Sequence, residues 1–139
     1  MPSEMAIGDV MTPSPLSVSP EEKLLAAQQL MNEHKIRHLP VVEENKPVGI
    51  LSERDVNVAI SVHKDSQKLE ELTVEDIAAS NPYQVEIDTS LSEVANHMAA
   101  HSIGSVVITR DGVLDGIFTA TDACKYLSLC LHGAFASGD

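Results

Sequence analysis

Apolar positions along this chain recur with two different periods, and the alternation of those periods lays out its elements. Leu24, Ala27, Leu30 and Met31 form one helical stripe that ends near His34. The β-rich runs 38–43 and 48–52 follow, joined by the turn-forming Glu44-Asn45-Lys46-Pro47, and residues 53–62 read as a second helix. Ahead of the stripe, residues 16–18 are expected as a short strand fenced by Pro15 and Pro20. Ser19-Pro20-Glu21-Glu22 has the form of a helix start, with Ser19 as N-cap and Pro20 at the first helical position. Residues 63–72 are polar and charged, a solvated linker or a frayed helix. The pattern then returns. A Leu91, Val94, Met98 stripe is opened by Ser90 and Glu93, and strands at 105–109 and 115–119 flank Arg110-Asp111-Gly112. A last helix runs from Ala120 to about Leu131, and residues 133–139 read as a loose tail.

That return is an internal duplication. Shifting the chain by 67 residues aligns 7–55 with 74–122 without a gap, and ten of the 49 pairs are identical. They include Asp9/Asp76, Met31/Met98, His34/His101, Gly49/Gly116 and Asp55/Asp122. Average residue usage would give roughly three. The chain therefore divides into a first repeat at 7–62, a linker at 63–73, a second repeat at 74–131 and a tail at 132–139. The expected class is α+β: two β-α-β-β-α units, each too small to be secure alone, packed as a pseudo-twofold pair with sheets facing and helices outside.

Composition narrows the function classes. Over 139 residues, 9 Lys and Arg stand against 21 Asp and Glu, a net charge of -12 that disfavours nucleic acid. Aromatic residues make up 3% with no Trp, so a base-stacking platform is also disfavoured. No apolar run approaches the roughly 20 residues of a membrane span, and Met1-Pro2-Ser3-Glu4 lacks the character of a signal peptide. Cys124 and Cys130 are too few to staple a fold, and a cytoplasmic location is expected. No Walker loop, nucleophile elbow or Rossmann fingerprint is present, so the expectation is a protein that is not an enzyme.

Several motifs in one order, occurring twice, resemble the cystathionine-β-synthase (CBS) domain, and the pair resembles a stand-alone tandem CBS module. The first copy carries Val10-Met11-Thr12-Pro13, then His34-Lys35-Ile36-Arg37-His38-Leu39-Pro40-Val41-Val42, then Gly49-Ile50-Leu51-Ser52-Glu53-Arg54-Asp55. The second is more degenerate, with Ala78-Ala79-Ser80 for Met-Thr-Pro, but it keeps Gly116-Ile117-Phe118-Thr119-Ala120-Thr121-Asp122. The resemblance implies a regulatory module that binds AMP, ADP, ATP, S-adenosylmethionine, NAD or a related adenosyl compound in clefts between the repeats. It implies a homodimer, a target protein in trans, no catalytic cofactor, and Mg2+ only as a companion of bound phosphate.

The Gly-x-x-Ser/Thr-x-x-Asp segment has chemistry of its own. Its Gly permits close backbone approach. Ser52 or Thr119 then stands at a helix N-terminus, where backbone donors and the macrodipole favour an anion. Asp55 or Asp122, three residues on, can accept both hydroxyls of a ribose. The same residues also suit a plain helix cap with an acidic first turn.

By resemblance, one cleft combines Thr119, Thr121 and Asp122 with Thr12, Pro13, Ser14, Leu16, Ile36, Arg37 and His38. The other combines Ser52, Arg54 and Asp55 with Asn81, Tyr83, Val85, Ile103, Gly104 and Ser105. The aligned part of the first repeat holds Lys23, Lys35, Arg37, Lys46 and Arg54, and that of the second only Arg110. The first cleft is therefore expected to hold a phosphorylated nucleotide, the second to be empty or to take a less charged ligand. A scaffold with vestigial clefts is the alternative.

Other candidates are weaker. His97 and His101 have metal-ligand spacing but no third ligand, and they suit a helix end near its C-terminal dipole. Cys124 and Cys130 fit no zinc spacing, and Met31 and Met98 read as core filler. No metal site is expected.

Overall fold

The computed structural model describes residues 5–136. In chain order the elements are a 3-10 turn (Ile7–Asp9), β1 (Thr12–Pro13), α1 (Leu24–His34), β2 (His38–Glu43), β3 (Lys46–Ser52), α2 (Glu53–Val62), α3 (Ser66–Glu71), α4 (Val74–Ile77), β4 (Ala79–Ser80), β5 (Gln84–Glu86), α5 (Leu91–His101), β6 (Ser105–Arg110), β7 (Val113–Thr119) and α6 (Ala120–Ala136). This is the α+β class, with a four-stranded sheet ordered β1-β7-β6-β5 and a three-stranded sheet ordered β2-β3-β4. The chain forms two compact units, and neither is contiguous.

The first unit comprises Pro15–Pro82 with Gly112–Leu114. Its core joins Leu24, Ala27 and Met31 of α1 to Leu39 and Val41 of β2, Leu51 of β3, and Val56 and Ala59 of α2. The β2–β3 hairpin turns through Glu44 and Asn45, both at positive φ. Leu24, Met31, Leu39 and Leu51 are essentially sealed from solvent, and burying each is worth about 1.5–3 kcal/mol. Gly49 is needed where it stands. A Cβ there would meet the Ala79 carbonyl of β4 at 2.8 Å, so the close approach its sequence motif promised is made by a neighbouring strand.

Two local expectations fail in this unit. Residues 16–18 form no strand; Val18 alone makes a parallel bridge with Val41, donating to Pro40 O at 3.0 Å and accepting from Val42 N at 2.9 Å. The flanking Pro15 and Pro20 have no N–H with which to extend a ladder. α1 begins at Leu24 with Lys23 as its N-cap, not at Pro20 after Ser19. The carbonyls of Pro20 and Glu22 accept from Glu75 N (3.0 Å) and Val74 N (2.8 Å), and Lys23 bridges Thr73. Tertiary pairing thus takes the backbone groups that a first helical turn would have used. The polar stretch after α2 contains a short helix, α3, capped by Asp65.

The second unit holds residues up to Ser14, Tyr83–Asp111 and the chain from Asp115. Its core is built from Ile7, Val94, Met98, Val106, Ile108 and Phe118. β5 runs parallel to β6, and β1 pairs antiparallel with β7 so that Pro13 faces Gly116. The side chain of Met11 lies where a Cβ on Gly116 would sit. Ser90 caps α5 by accepting from Glu93 N at 3.2 Å, as the sequence predicts. α6 continues to Ala136, past the expected end near Leu131; the remainder of the expected tail, residues 137–139, lies outside the described residues. No helix among the described residues is long and apolar enough to cross a membrane.

The backbone itself records the duplication. All described residues at positive φ occur in equivalent pairs: Ser14 and Asn81, Lys35 and Ser102, Glu44 and Asp111, Asn45 and Gly112. Both the helix C-caps and the hairpin turns have been copied, although three of these pairs differ in chemical type. Two strands' worth of chain are exchanged: residues before Ser14 serve the unit of the second repeat, and α4 and β4 serve that of the first.

Candidate functional site

The hairpin geometry of the first unit sets its chemistry. His38 opens β2 and Ser52 closes β3, and the two are direct antiparallel partners. The residues just outside them must then be neighbours, and Glu53 N donates to Arg37 O at 2.8 Å. Ser52 caps α2, accepting from Asp55 N at 3.1 Å. An open pocket of about 410 Å3 forms here, lined by Arg37, His38, Ser52, Glu53, Arg54, Asn57, Val58 and Ser61.

Arg54, Asn57, Val58 and Ser61 have the i, i+3, i+4, i+7 spacing of one helix face, so a single side of α2 forms the wall. Asn57, Val58 and Ser61 were not among the expected site residues, although that spacing was open to reading. Two guanidinium groups and an imidazole therefore meet at the positive end of a helix. Burial lowers the His38 pKa from 6.5, and Arg37 lowers it further, while Asp55 and Glu53 act in the opposite direction. Arg37 and His38, expected in one cleft, share this pocket with Ser52 and Arg54, expected in the other.

The second unit repeats the scaffold without the charge. Ala120 N donates to Gly104 O at 3.0 Å, the equivalent of the Glu53–Arg37 bond. Gly104, Ser105 and Thr121 occupy the positions of Arg37, His38 and Arg54. Arg110 is ion-paired with Asp115 at 3.5 Å. What this unit has instead is an engaged carboxylate. Asp122 Oδ2 accepts from Thr119 N (3.0 Å) and from the Thr119 hydroxyl (3.1 Å), while Asp122 N donates back to Thr119 Oγ1 at 3.2 Å. The Thr12 hydroxyl donates to the same carboxylate at 3.3 Å. A carboxylate already receiving two hydroxyls presents the acceptor geometry that a vicinal diol requires.

The other expected residues sort by unit. Pro13 and Ser14 lie beside Thr12, with Ser14 N donating to Asp115 O at 2.9 Å. Leu16 is exposed and Ile36 packs against the core of the first unit, which also contains Asn81. Tyr83 and Val85 pack against the core of the second unit. Ile103 N donates to Met98 O at 3.0 Å, and Ser105 is buried in β6. Among the described residues, no group of three or more His, Cys, Asp or Glu is placed to hold a metal.

Comparison with known proteins decides the family. The CBS domain profile matches twice, over residues 7–62 and 74–129. The chain belongs to the CBS-domain family. Its solved relatives include the CBS-pair protein CBSX2 of Arabidopsis thaliana, 25% identical with a TM-score of 0.80 over 94% of this chain and 99% of that one. CBSX2 in complex with AMP matches at 26% identity and a TM-score of 0.76, covering 90% of this chain and 97% of that one.

The CBS domain pair of protein MJ0100, in complex with 5'-methylthioadenosine and S-adenosylmethionine, matches at 26% identity and a TM-score of 0.78, over 88% and 99% of the two chains. Among curated sequences, inosine-5'-monophosphate dehydrogenase of Korarchaeum cryptofilum is 35% identical over 77% of this chain. That match spans only 21% of the dehydrogenase. In CBS terms, both Ser/Thr-x-x-Asp segments sit at the strand-to-helix junctions β3–α2 and β7–α6.

Proposed function

We propose that this CBS pair is a regulatory module that binds an adenosine nucleotide or a related adenosyl compound and signals in trans to another protein. The observation that carries the reading is the pocket at the start of α2, where Arg37, His38 and Arg54 gather in a chain of net charge -12. A local cluster of cations in an acidic protein selects small anions over polyanions. Asp122, with Thr12 and Thr119, and Asp55, after Ser52, are proposed as the acceptors for ribose hydroxyls. Arg37, Arg54 and His38 are the phosphate-facing groups, and Mg2+ enters only with a polyphosphate. The remaining expected residues, from Pro13, Ser14, Leu16 and Ile36 to Thr121, Asn81, Tyr83, Val85, Ile103, Gly104 and Ser105, are proposed as walls of the ligand sites. The relatives bound to AMP, 5'-methylthioadenosine and S-adenosylmethionine support the adenosyl class.

The proposed protein is cytoplasmic, homodimeric and without catalytic activity of its own. Ligand can shift its conformational equilibrium only by binding one arrangement better than another. Thermal unfolding of nucleotide-free protein with AMP, ADP, ATP, NAD and S-adenosylmethionine tests the binding half of this proposal. A ligand at 100 times its Kd raises the unfolding free energy by about 2.7 kcal/mol. Capture of a partner that changes with the same ligand tests the signalling half.

A further inference from the structure

His97 and His101 have no part in the nucleotide reading, yet the second unit holds them in a defined arrangement. Both lie on α5, four residues apart. Their ring centroids are 4.1 Å apart and their planes differ by 21°. Tyr83 stacks on His97 at 3.9 Å, so the His97 ring is held between two others. His101 Nδ1 lies 3.0 Å from the His97 carbonyl oxygen. With Nδ1–H donating to that carbonyl, the lone pair falls on Nε2, which is the orientation a metal-binding imidazole takes.

The first repeat provides an internal comparison. His34 makes the same contact, Nδ1 to Leu30 O at 3.1 Å, but Leu30 stands where the second repeat has His97. One histidine is enough for the helix end, so the second imidazole needs another account. Leu16 likewise stands where the second repeat has Tyr83. An aliphatic pair has been exchanged for an aromatic pair that presents two imidazoles at the surface.

We propose that His97 and His101 form a two-histidine site for a divalent transition-metal cation of the zinc, nickel or copper class, with water completing the coordination. Imidazole suits these ions. Two adjacent imidazoles bound at about 2.0–2.1 Å place their ring centres about 4–5 Å apart, a range that includes the observed spacing. The net charge of -12 raises the local concentration of cations.

The test uses Cys124→Ser, Cys130→Ser, Tyr126→Phe protein. This removes the exposed thiols and leaves Tyr83 as the sole tyrosine in a chain without Trp. Zn2+ is titrated by calorimetry and Ni2+ by quenching of tyrosine emission. One equivalent of metal is expected to bind, and Ni2+ to quench Tyr83. His97→Leu, which installs the residue of the first repeat, and His101→Ala should each weaken binding by about tenfold or more, at least the cost of losing an outer-shell partner. His34→Ala should bind as the parent does. Metal affinity unchanged in either His97→Leu or His101→Ala, or no binding at millimolar metal, would overturn the site.

Discussion

The Thr12 hydroxyl donates to the carboxylate of Asp122 at 3.3 Å across 110 residues of sequence. The first strand thereby meets the strand-to-helix junction of the other repeat, because β1 pairs with β7 and sets Thr12 opposite Ile117. Asp122 thus performs two tasks: it closes a reciprocal cap with Thr119, and it gathers hydroxyls.

Replacing Asp122 separates those tasks. Asp122→Ala should lose nucleoside binding and also about 0.5–2 kcal/mol of stability with the cap. Asp122→Asn keeps one acceptor oxygen, so it should recover part of the stability and less of the affinity. Urea unfolding and adenosine titration, run on both variants, measure the two losses.

Arg37 should matter in proportion to the ligand's charge. Arg37→Ala is expected to weaken ATP by about tenfold or more, the value of a hydrogen bond to a charged group, and to leave adenosine nearly unchanged. Equal losses for the two ligands would remove Arg37 from the phosphate role.

The pH response follows from His38. Its folded-state pKa lies below 6.5, first because it is buried and then because of Arg37. The unfolded chain therefore takes up the proton more readily. The contribution is fully present above pH 6.5 and is lost as the pH falls through the lowered folded value. Asp55 and Glu53 oppose the shift and keep it modest. His38→Gln should flatten the acid limb of a stability–pH curve. Bound phosphate should do the reverse of burial and raise the His38 pKa, readable by NMR titration of the ring protons.

Gly49 is a packing prediction independent of ligand. The 2.8 Å approach of Ala79 O leaves no room for a methyl group. Gly49→Ala should therefore cost about 1–3 kcal/mol as the strands are forced apart, measured as a shift in urea midpoint. An unchanged midpoint would show that β4 can move away freely.

What the sequence made legible was what neighbouring residues decide. α2 begins after Ser52 and ends at Val62 as its cap and its Val56, Ala59 stripe indicate, and the two-repeat α+β organisation follows from the register of Met31 with Met98 and Gly49 with Gly116. Ser19-Pro20 misled because its neighbouring carbonyls bond to Val74 and Glu75, more than fifty residues away. β1, α4 and β4 were invisible for the same reason: they are two to four residues long and exist through distant partners. The grouping of Arg37 with Ser52 and Arg54 was readable from hairpin pairing alone, since a residue before β2 must lie beside one after β3.

Calorimetric titration of nucleotide-free protein with AMP, ATP and S-adenosylmethionine, repeated with Arg37→Ala/Arg54→Ala, addresses the central claim most directly. Saturable heat for at least one adenosyl ligand is predicted, with the phosphorylated ligands losing most of their affinity in the double variant. Flat heats for all three at millimolar concentration would contradict a module built to sense them.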